Sequence, residues 1–214
     1  MKIKWIIVFL GMLSLSACQR LNKNVATKTI AIQPLGEIHT SLISNISNAL
    51  RDTYGQNIIV QQEIKMYPDA FINIKSPRYR ADSILKFLKR DKPDSVDYIL
   101  GVTAQDISTT KYEIFPIKIK QPESKYKDWG VFGLGQCPGN SCVISTFRIG
   151  KVTEQLKTVR MQKVAVHEVG HNFGLKHCKD KSCVMTDAVE SIKTVDQAQL
   201  ALCDKCKRKL GIEE

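Results

Sequence analysis

The spacing of apolar residues predicts alternating strands and helices in the first half of the chain. The strand predicted over residues 96–102 is almost continuously apolar, which is typical of a strand buried on both faces. In chain order the predicted elements are a strand over 27–33, a helix over 38–54, a strand over 57–64, a helix over 80–89 and the strand over 96–102.

The second half of the chain continues this pattern. Strands are predicted over 129–135 and 142–149, on either side of a Cys-Pro-Gly-Asn-Ser turn. Helices are predicted over 153–173 and 195–209, the second beginning at a capping box of Thr194 and Gln197. This order of elements predicts an α/β domain with a mixed sheet. With 214 residues, 43% of them hydrophobic and 25% charged, the chain has the size and composition of one globular domain.

The N-terminus has a different composition from the rest. Two lysines precede a short apolar stretch that ends in Leu15-Ser16-Ala17-Cys18, which resembles a bacterial lipobox. We therefore predict a lipoprotein signal peptide over 1–17, an acylated Cys18, a polar tether over 18–26 and a single domain over 27–214. The expected location is the bacterial cell envelope, with a lipid anchor in the membrane. An ordinary signal peptide followed by a chance cysteine is the alternative.

The formal net charge of +11 raises the question of an anionic partner. The basic residues are scattered, apart from modest clusters over 118–127 and 205–209, and neither cluster has the interleaved aromatic residues of a nucleic-acid platform. A solvated basic surface is expected, with no nucleic-acid partner, and the protein is expected to be a monomer.

The segment from His167 to His177 carries the strongest chemical signal. His167 and His171 are four residues apart on a predicted helix, so both imidazoles lie on one face and can bind the same zinc ion. Gly174 is suited to end the helix in a left-handed conformation, after which His177 can return as a third ligand. Three nitrogen ligands leave a position open for water, as catalytic zinc sites require. Glu168 is placed to be the general base.

Two alternatives to this catalytic interpretation remain. Glu190 could replace His177 as third ligand from a second helix, although we expect a surface role for it. A metal-handling envelope protein without catalysis could use the same histidines, but it would have no use for a base at Glu168. A zinc domain that binds nucleic acid is a more distant candidate.

Six cysteines follow Cys18, and four of them crowd into the last part of the chain. Two close pairs of thiolates suit a closed tetrahedral zinc site, and disulfide bonding is the alternative in an oxidising envelope. These four residues are Cys178, Cys183, Cys203 and Cys206. Cys137 and Cys142 lie apart from them, and we predict a disulfide that closes the turn between two strands.

The whole string His-Glu-x-x-His-x-x-Gly-x-x-His-Cys-x4-Cys-x-Met-x17-Cys-x-x-Cys, from His167 to Cys206, resembles the archaemetzincin family of metallopeptidases. Ile99-Leu100-Gly101-Val102-Thr103, Val131-Phe132-Gly133 and Val143-Ile144-Ser145 look like that family's sheet. The resemblance implies a compact metzincin-like mixed sheet, an active-site helix and a C-terminal helical part stabilised by zinc.

The same resemblance implies two zinc ions per chain, one catalytic and one structural, and makes Met185 the methionine of the turn beneath the catalytic metal. The function expected is hydrolysis of peptide bonds in a peptide or protein substrate, by a zinc-activated water with Glu168 as general base. By resemblance to metzincins, the strand over 142–149 is expected to be an exposed edge to which the substrate adds as a further strand.

Overall fold

The computed structural model describes residues 27–187 and 191–212. The predicted signal peptide, the tether with Cys18, and Glu190 lie outside these residues. The strands are β1 Thr29–Leu35, β2 Asn57–Val60, β3 Phe71–Asn73, β4 Pro77–Arg80, β5 Tyr98–Thr103, β6 Ile107–Thr109, β7 Tyr112–Ile114, β8 Lys118–Ile119, β9 Trp129–Gly130, β10 Gly133–Gly135 and β11 Ser141–Ser145. The helices are α1 Thr40–Tyr54, α2 Ala81–Asp91, α3 Glu123–Tyr126, α4 Glu154–Asn172, α5 Ile192–Gln197 and α6 Asp204–Leu210.

The main sheet has five strands in the order β10-β11-β5-β1-β2. Its pairs are parallel except for β10 against β11, so the predicted mixed sheet is confirmed. Because successive side chains of a strand point to opposite faces, β1 contributes to two apolar layers. Ile30 and Ile32 pack in a core with α1 and α4, whereas Ala31 and Leu35 pack in a core with α2. The central strand β5 is buried on both faces, as predicted.

A second sheet, not predicted from the sequence, has the order β3-β4-β6-β9. Its strands are two to four residues long and too short for periodicity to show. Buried ion pairs join it to the chain that enters α4. Asp106 accepts two hydrogen bonds from Arg148 and also pairs with Arg78, which reaches Asp128 as well.

The predicted helix over 195–209 is wrong. The structure has two short helices, α5 and α6, with irregular chain between them. Ser191, not Thr194, caps the first one, and Cys203 is the N-terminal cap of the second. The break has a physical cause, because backbone groups of Gln199 and Ala201 bond to the loop that carries Cys183 instead of to a helix.

The predicted edge strand is also wrong. β11 lies between β10 and β5, with hydrogen-bonded neighbours on both sides, and β10 is the edge strand on this side of the sheet. The predicted strand over 129–135 is divided into β9 and β10, which belong to different sheets. An added strand would therefore have to pair with β10.

Within the described residues, no helix combines the length and hydropathy needed to cross a membrane.

Candidate active site and cysteine cluster

The three predicted histidine ligands lie together. His167 and His171 are one turn apart on α4, and their Nε2 atoms are 3.0 Å apart. Gly174 follows the helix with a φ of 87°, the left-handed conformation that glycine adopts without strain, and the chain turns back to His177. One nitrogen of each histidine lies within 4.8 Å of the others.

The donor set of these histidines suits a cation. His167 Nδ1 bonds to the carbonyl of Val184 at 2.8 Å, and His171 Nδ1 to the carbonyl of Leu175 at 2.7 Å. Because a carbonyl only accepts, each Nδ1 carries the proton, and in the neutral rings the Nε2 lone pairs face one another. Nitrogens that share a tetrahedral zinc lie about 3.3 Å apart. The three histidines therefore fit zinc with little movement.

Burial keeps the histidines on the helix in the form that binds metal. Desolvation and, to a smaller extent, the nearby His171 lower the pKa of His167 to about 4. Desolvation also lowers the pKa of His171 below its usual value. Both rings are therefore neutral at pH 7, and only neutral imidazole has a lone pair for a metal ion.

Glu168 is buried beside these ligands and lines the same cavity. Desolvation raises the pKa of Glu168 to about 8, and a hydrogen bond from the backbone N–H of Gly135 partly opposes this rise. Space for this carboxyl depends on glycines of the edge strand. A Cβ on Gly133 would lie 2.7 Å from Glu168 Cγ, and one on Gly135 would lie 2.6 Å from the Glu168 carbonyl oxygen. This role of Gly133 and Gly135 is not predicted above, and its available signal in the sequence is the alternation of glycines in Gly133-Leu134-Gly135.

Met185 lies in a turn that packs against the active-site helix α4 at Gly170. Its side chain is fully buried, and a Cβ on Gly170 would lie 2.5 Å from Met185 Sδ and 2.9 Å from the Tyr54 hydroxyl. That hydroxyl donates a hydrogen bond to the carbonyl of Val166 at 2.6 Å. Gly170 is therefore the residue that lets the turn and α1 approach α4, one position before His171.

The four predicted cysteine ligands form a second cluster. The Sγ atoms of Cys178 and Cys203 are 3.7 Å apart, and those of Cys183 and Cys206 are 3.9 Å apart. With a Zn–S bond of about 2.3 Å, tetrahedral geometry puts sulfur atoms about 3.8 Å apart. All four thiols are free, and one atom of each lies within 4.8 Å of the others. The spacing fits a closed zinc site.

The predicted disulfide between Cys137 and Cys142 is absent, and both thiols are free. Cys142 belongs to β11 and points into the core, where its thiol lies 3.9 Å from the carbonyl of Ile99. The Cys137 thiol contacts the carbonyl of Leu175 at 3.4 Å. The two side chains therefore point to different neighbours, although their residues are close in the chain.

A cavity of about 650 Å³ opens over the histidines and Glu168. Its apolar walls come from β9, β10, α4 and α5, and the cations Lys111, Arg148 and Lys163 also line it. Arg148 bonds to Asp106, and Lys163 donates to the carbonyls of Val195 and Asp196. Burial lowers the pKa of Lys163.

Comparison with known proteins identifies the family. The model of peptidase family M54 matches residues 23–211. The archaemetzincin of Haloquadratum walsbyi is 29% identical over 190 residues, which cover 85% of this chain and 98% of the relative. The archaemetzincin of Methanocaldococcus jannaschii is 28% identical over 188 residues, which cover 85% and 92%.

Solved structures agree with this relationship. The crystal structure of archaemetzincin from Methanopyrus kandleri has a TM-score of 0.71 and 25% identity, and the match covers 89% of this chain and 97% of that one. The archaemetzincin of Archaeoglobus fulgidus, solved in complex with malonate, has a TM-score of 0.66 and 27% identity, with 85% and 99% covered. The chain therefore belongs to peptidase family M54, the archaemetzincins, and is a zinc-dependent metallopeptidase.

Proposed function

We propose that Glu168 is the general base of this peptidase, and that His167, His171 and His177 hold the catalytic zinc. The observation that carries the proposal is the buried Glu168 carboxyl, which lies in the cavity beside two paired histidines. When bound, zinc supplies Lewis-acid chemistry, polarising the scissile carbonyl and making a water more acidic.

Glu168 then performs both proton transfers. Its carboxylate takes a proton from the attacking water and returns that proton to the leaving amine, so that one group acts as base and then as acid. A pKa of about 8 lies close to the operating pH, where acid–base catalysis is most effective. The Gly135 N–H stabilises the ionised form and orients the carboxyl.

The edge strand β10 is the element that best suits an extended substrate. One side of β10 pairs with β11, and β10 also lines the cavity through Gly133, Leu134 and Gly135. A peptide that adds to the free side would run past Glu168 with its main chain hydrogen-bonded to the protein. The apolar cavity walls then contact its side chains.

We also propose a second, structural zinc on the four cysteines, and hence two zinc ions per chain. The sulfur spacing supports this proposal. The lipid anchor at Cys18, the cell-envelope location and the monomeric state remain predictions from the sequence.

The test compares wild type with Glu168→Gln and His171→Ala. We expect Glu168→Gln to retain its zinc and fold while hydrolysis of a diverse peptide library falls by on the order of 10²–10⁴-fold or more. His171→Ala should lose one zinc ion and activity together. Zinc per chain is measured by elemental analysis and hydrolysis by mass spectrometry. Equal rates for wild type and Glu168→Gln at matched zinc content would refute the role of Glu168.

A further inference from the structure

The hairpin of β7 and β8 ends in an exposed apolar tip. The turn Ile114-Phe115-Pro116-Ile117 is closed by a hydrogen bond from the Ile117 N–H to the Ile114 carbonyl at 2.8 Å. Ile114 is 55% exposed, Phe115 79% and Ile117 83%. In the part of the chain that the structure describes, Phe115 and Ile117 are the most exposed of the large hydrophobic side chains. Two such residues on one turn form an apolar patch in water.

Contacts within the hairpin hold the tip in shape. The Phe115 ring packs edge-on against Tyr112, with ring centroids 5.2 Å apart. Lys118 and Glu113 form an ion pair at 2.8 Å across the two strands. The apolar side chains are thus presented outward by a paired structure instead of being folded back onto the core.

The hairpin and the residues that follow it carry an excess of lysines. Residues 111–127 contain five lysines and two glutamates, a net charge of +3. Each of the two glutamates is paired with a lysine, since Glu123 lies 3.4 Å from Lys127 and Glu113 contacts Lys118. The ammonium groups of Lys120 and Lys125 lie over the Tyr126 ring, 4.9 and 5.1 Å from its centroid. The remaining excess of positive charge lies on the side chains around the hairpin base.

A second turn is attached beside the hairpin. Lys75 Nζ donates a hydrogen bond to the carbonyl of Lys125 at 2.8 Å, which joins the turn between β3 and β4 to α3, the helix that follows the hairpin. The preceding residue of this turn, Ile74, is 58% exposed. This turn therefore adds a lysine and an exposed apolar side chain next to α3.

We propose that the hairpin surface binds the face of a bilayer rich in anionic lipids, with Phe115 and Ile117 inserted among the headgroups and acyl chains. An apolar tip on a basic hairpin is the combination that interfacial binding requires, because burial of apolar area and attraction to anionic headgroups act together. The positive charge of the hairpin base is complementary to phosphate-bearing headgroups. Two large apolar side chains that are exposed together on one turn are typical of a binding surface.

The location of the hairpin gives the contact a consequence for the peptidase. Lys111 immediately precedes β7, lies over the Trp129 ring at 4.7 Å, and lines the active-site cavity with it. A bilayer contact at the tip therefore holds the cavity mouth near the lipid surface. Resting on the proposed function, this makes polypeptides at the membrane surface the substrates that the site meets. The contact acts independently of any lipid on Cys18.

The test measures binding of zinc-loaded protein that begins at residue 18 and carries Cys18→Ser, so that no lipid is attached. The family match at 23–211 and the coverage of 97% of the Methanopyrus kandleri chain show that this part corresponds to a complete folded relative. Sedimentation is compared for vesicles of phosphatidylcholine alone and vesicles with equal parts of phosphatidylcholine and phosphatidylglycerol. We expect at least about tenfold tighter binding to the anionic vesicles, weakened by salt.

Matched substitutions separate insertion from simple charge attraction. Phe115→Ser and Ile117→Ser should each weaken binding to anionic vesicles about tenfold, because each removes an apolar side chain from the lipid contact. The control is Val60→Ser, which changes a 53% exposed apolar residue on β2, at the opposite edge of the main sheet from β10. It should leave binding unchanged. Hydrolysis of soluble peptides should be the same for all of these proteins.

Three results would overturn the proposal. Wild type that fails to bind anionic vesicles at low salt removes the lipid partner. Binding that is indifferent to Phe115→Ser and Ile117→Ser reduces the contact to surface charge, without insertion. A wild-type dimer in light scattering that Ile117→Ser converts to a monomer assigns the tip to a second copy of the chain. Vesicle binding is measured without substrate, so a failure of the proposed catalytic role would leave its outcome unaffected.

Discussion

The histidine and cysteine clusters show two ways of arranging metal ligands within a short stretch of chain. The histidine cluster draws two ligands from one helix and a third from the following loop, and a cavity of about 650 Å³ lies on its other side. The cysteine cluster draws two ligands from the loop after α4 and two from the start of α6. Its four sulfurs face one another, and four protein ligands fill a tetrahedral site.

The difference lies in what surrounds each ligand set. Beside the histidines is Glu168, a carboxyl kept in place by Gly135 and destabilised by burial. Beside the cysteines is a backbone donor, since the Cys203 N–H contacts Cys183 Sγ at 3.4 Å. A carboxyl near an open position suits proton transfer, whereas N–H groups on sulfur stabilise thiolates. The surroundings, and not the ligands alone, distinguish a reactive site from a structural one.

The two clusters are joined through one segment of backbone. Val184 accepts the hydrogen bond of His167 and donates to the carbonyl of Ala201, close to Cys203. Cys178, a cysteine ligand that directly follows His177, donates its N–H to the carbonyl of Met185. Loss of the cysteine cluster should therefore loosen both His177 and the carbonyl that orients His167.

The largest effect on stability is expected from Cys203→Ser combined with Cys206→Ser. The variant should lose one zinc ion and several kcal/mol of unfolding free energy, since structural zinc contributes on the order of 10 kcal/mol in small zinc modules. Peptidase activity should fall with it, through the shared segment. The measurements are zinc per chain and urea denaturation. Cys137→Ser, which changes a cysteine outside both clusters, is the control and should keep both ions. Wild type with one zinc and no free thiols would instead indicate disulfides.

Much of this architecture could be predicted from the sequence, and the failures have physical causes. α4 and its ligands follow from local spacing, because residues four apart on a helix share a face whatever surrounds them. The helix predicted over 195–209 failed because backbone bonds of Gln199 and Ala201 to a distant loop replaced helical ones. Such tertiary competition leaves no periodic signal.

The errors at the edge of the sheet have the same origin. The edge expected over 142–149 rests on the resemblance to metzincins, and the residues of a strand do not show which strands flank it, so the sequence leaves open that β10 covers β11. The disulfide between Cys137 and Cys142 was inferred from closeness in the chain. Whether two cysteines can form a disulfide depends on the directions of their side chains, and the fold determines these directions.

A smaller, more local effect is expected from Gly135→Ala. The new Cβ would lie 2.6 Å from the Glu168 carbonyl oxygen and 3.2 Å from its carboxylate, so β10 has to move away from α4. The N–H bond to Glu168 should then be lost. We expect activity to fall roughly 10–100-fold, as a misplaced catalytic group implies, with both zinc ions retained. Zinc content, circular dichroism and kcat/KM provide the check. Unchanged activity would show that β10 does not position Glu168.

The smallest effect is a pH dependence that belongs to Glu168 alone. Its pKa is raised to about 8 in the folded protein from an ordinary value of 4.5. Between these values the folded state keeps a proton that the unfolded state has released. The stability of protein whose histidine-site zinc has been removed should therefore decrease as pH rises towards 8.

The comparison of wild type with Glu168→Gln isolates the contribution of Glu168 to the pH dependence of stability, because glutamine is neutral at every pH. The lowered pKa of His167 gives a dependence of opposite sign around the ordinary histidine pKa of about 6.5, but the histidines are present in both proteins and their contribution cancels in the comparison. From pH 6.5 to 8, wild type should lose roughly 1.5 kcal/mol of unfolding free energy relative to the variant. Urea denaturation is measured after a chelator has removed the zinc of the histidine site. Parallel curves would mean that the carboxyl is ionised throughout, and the proposed burial effect on Glu168 would have to be abandoned.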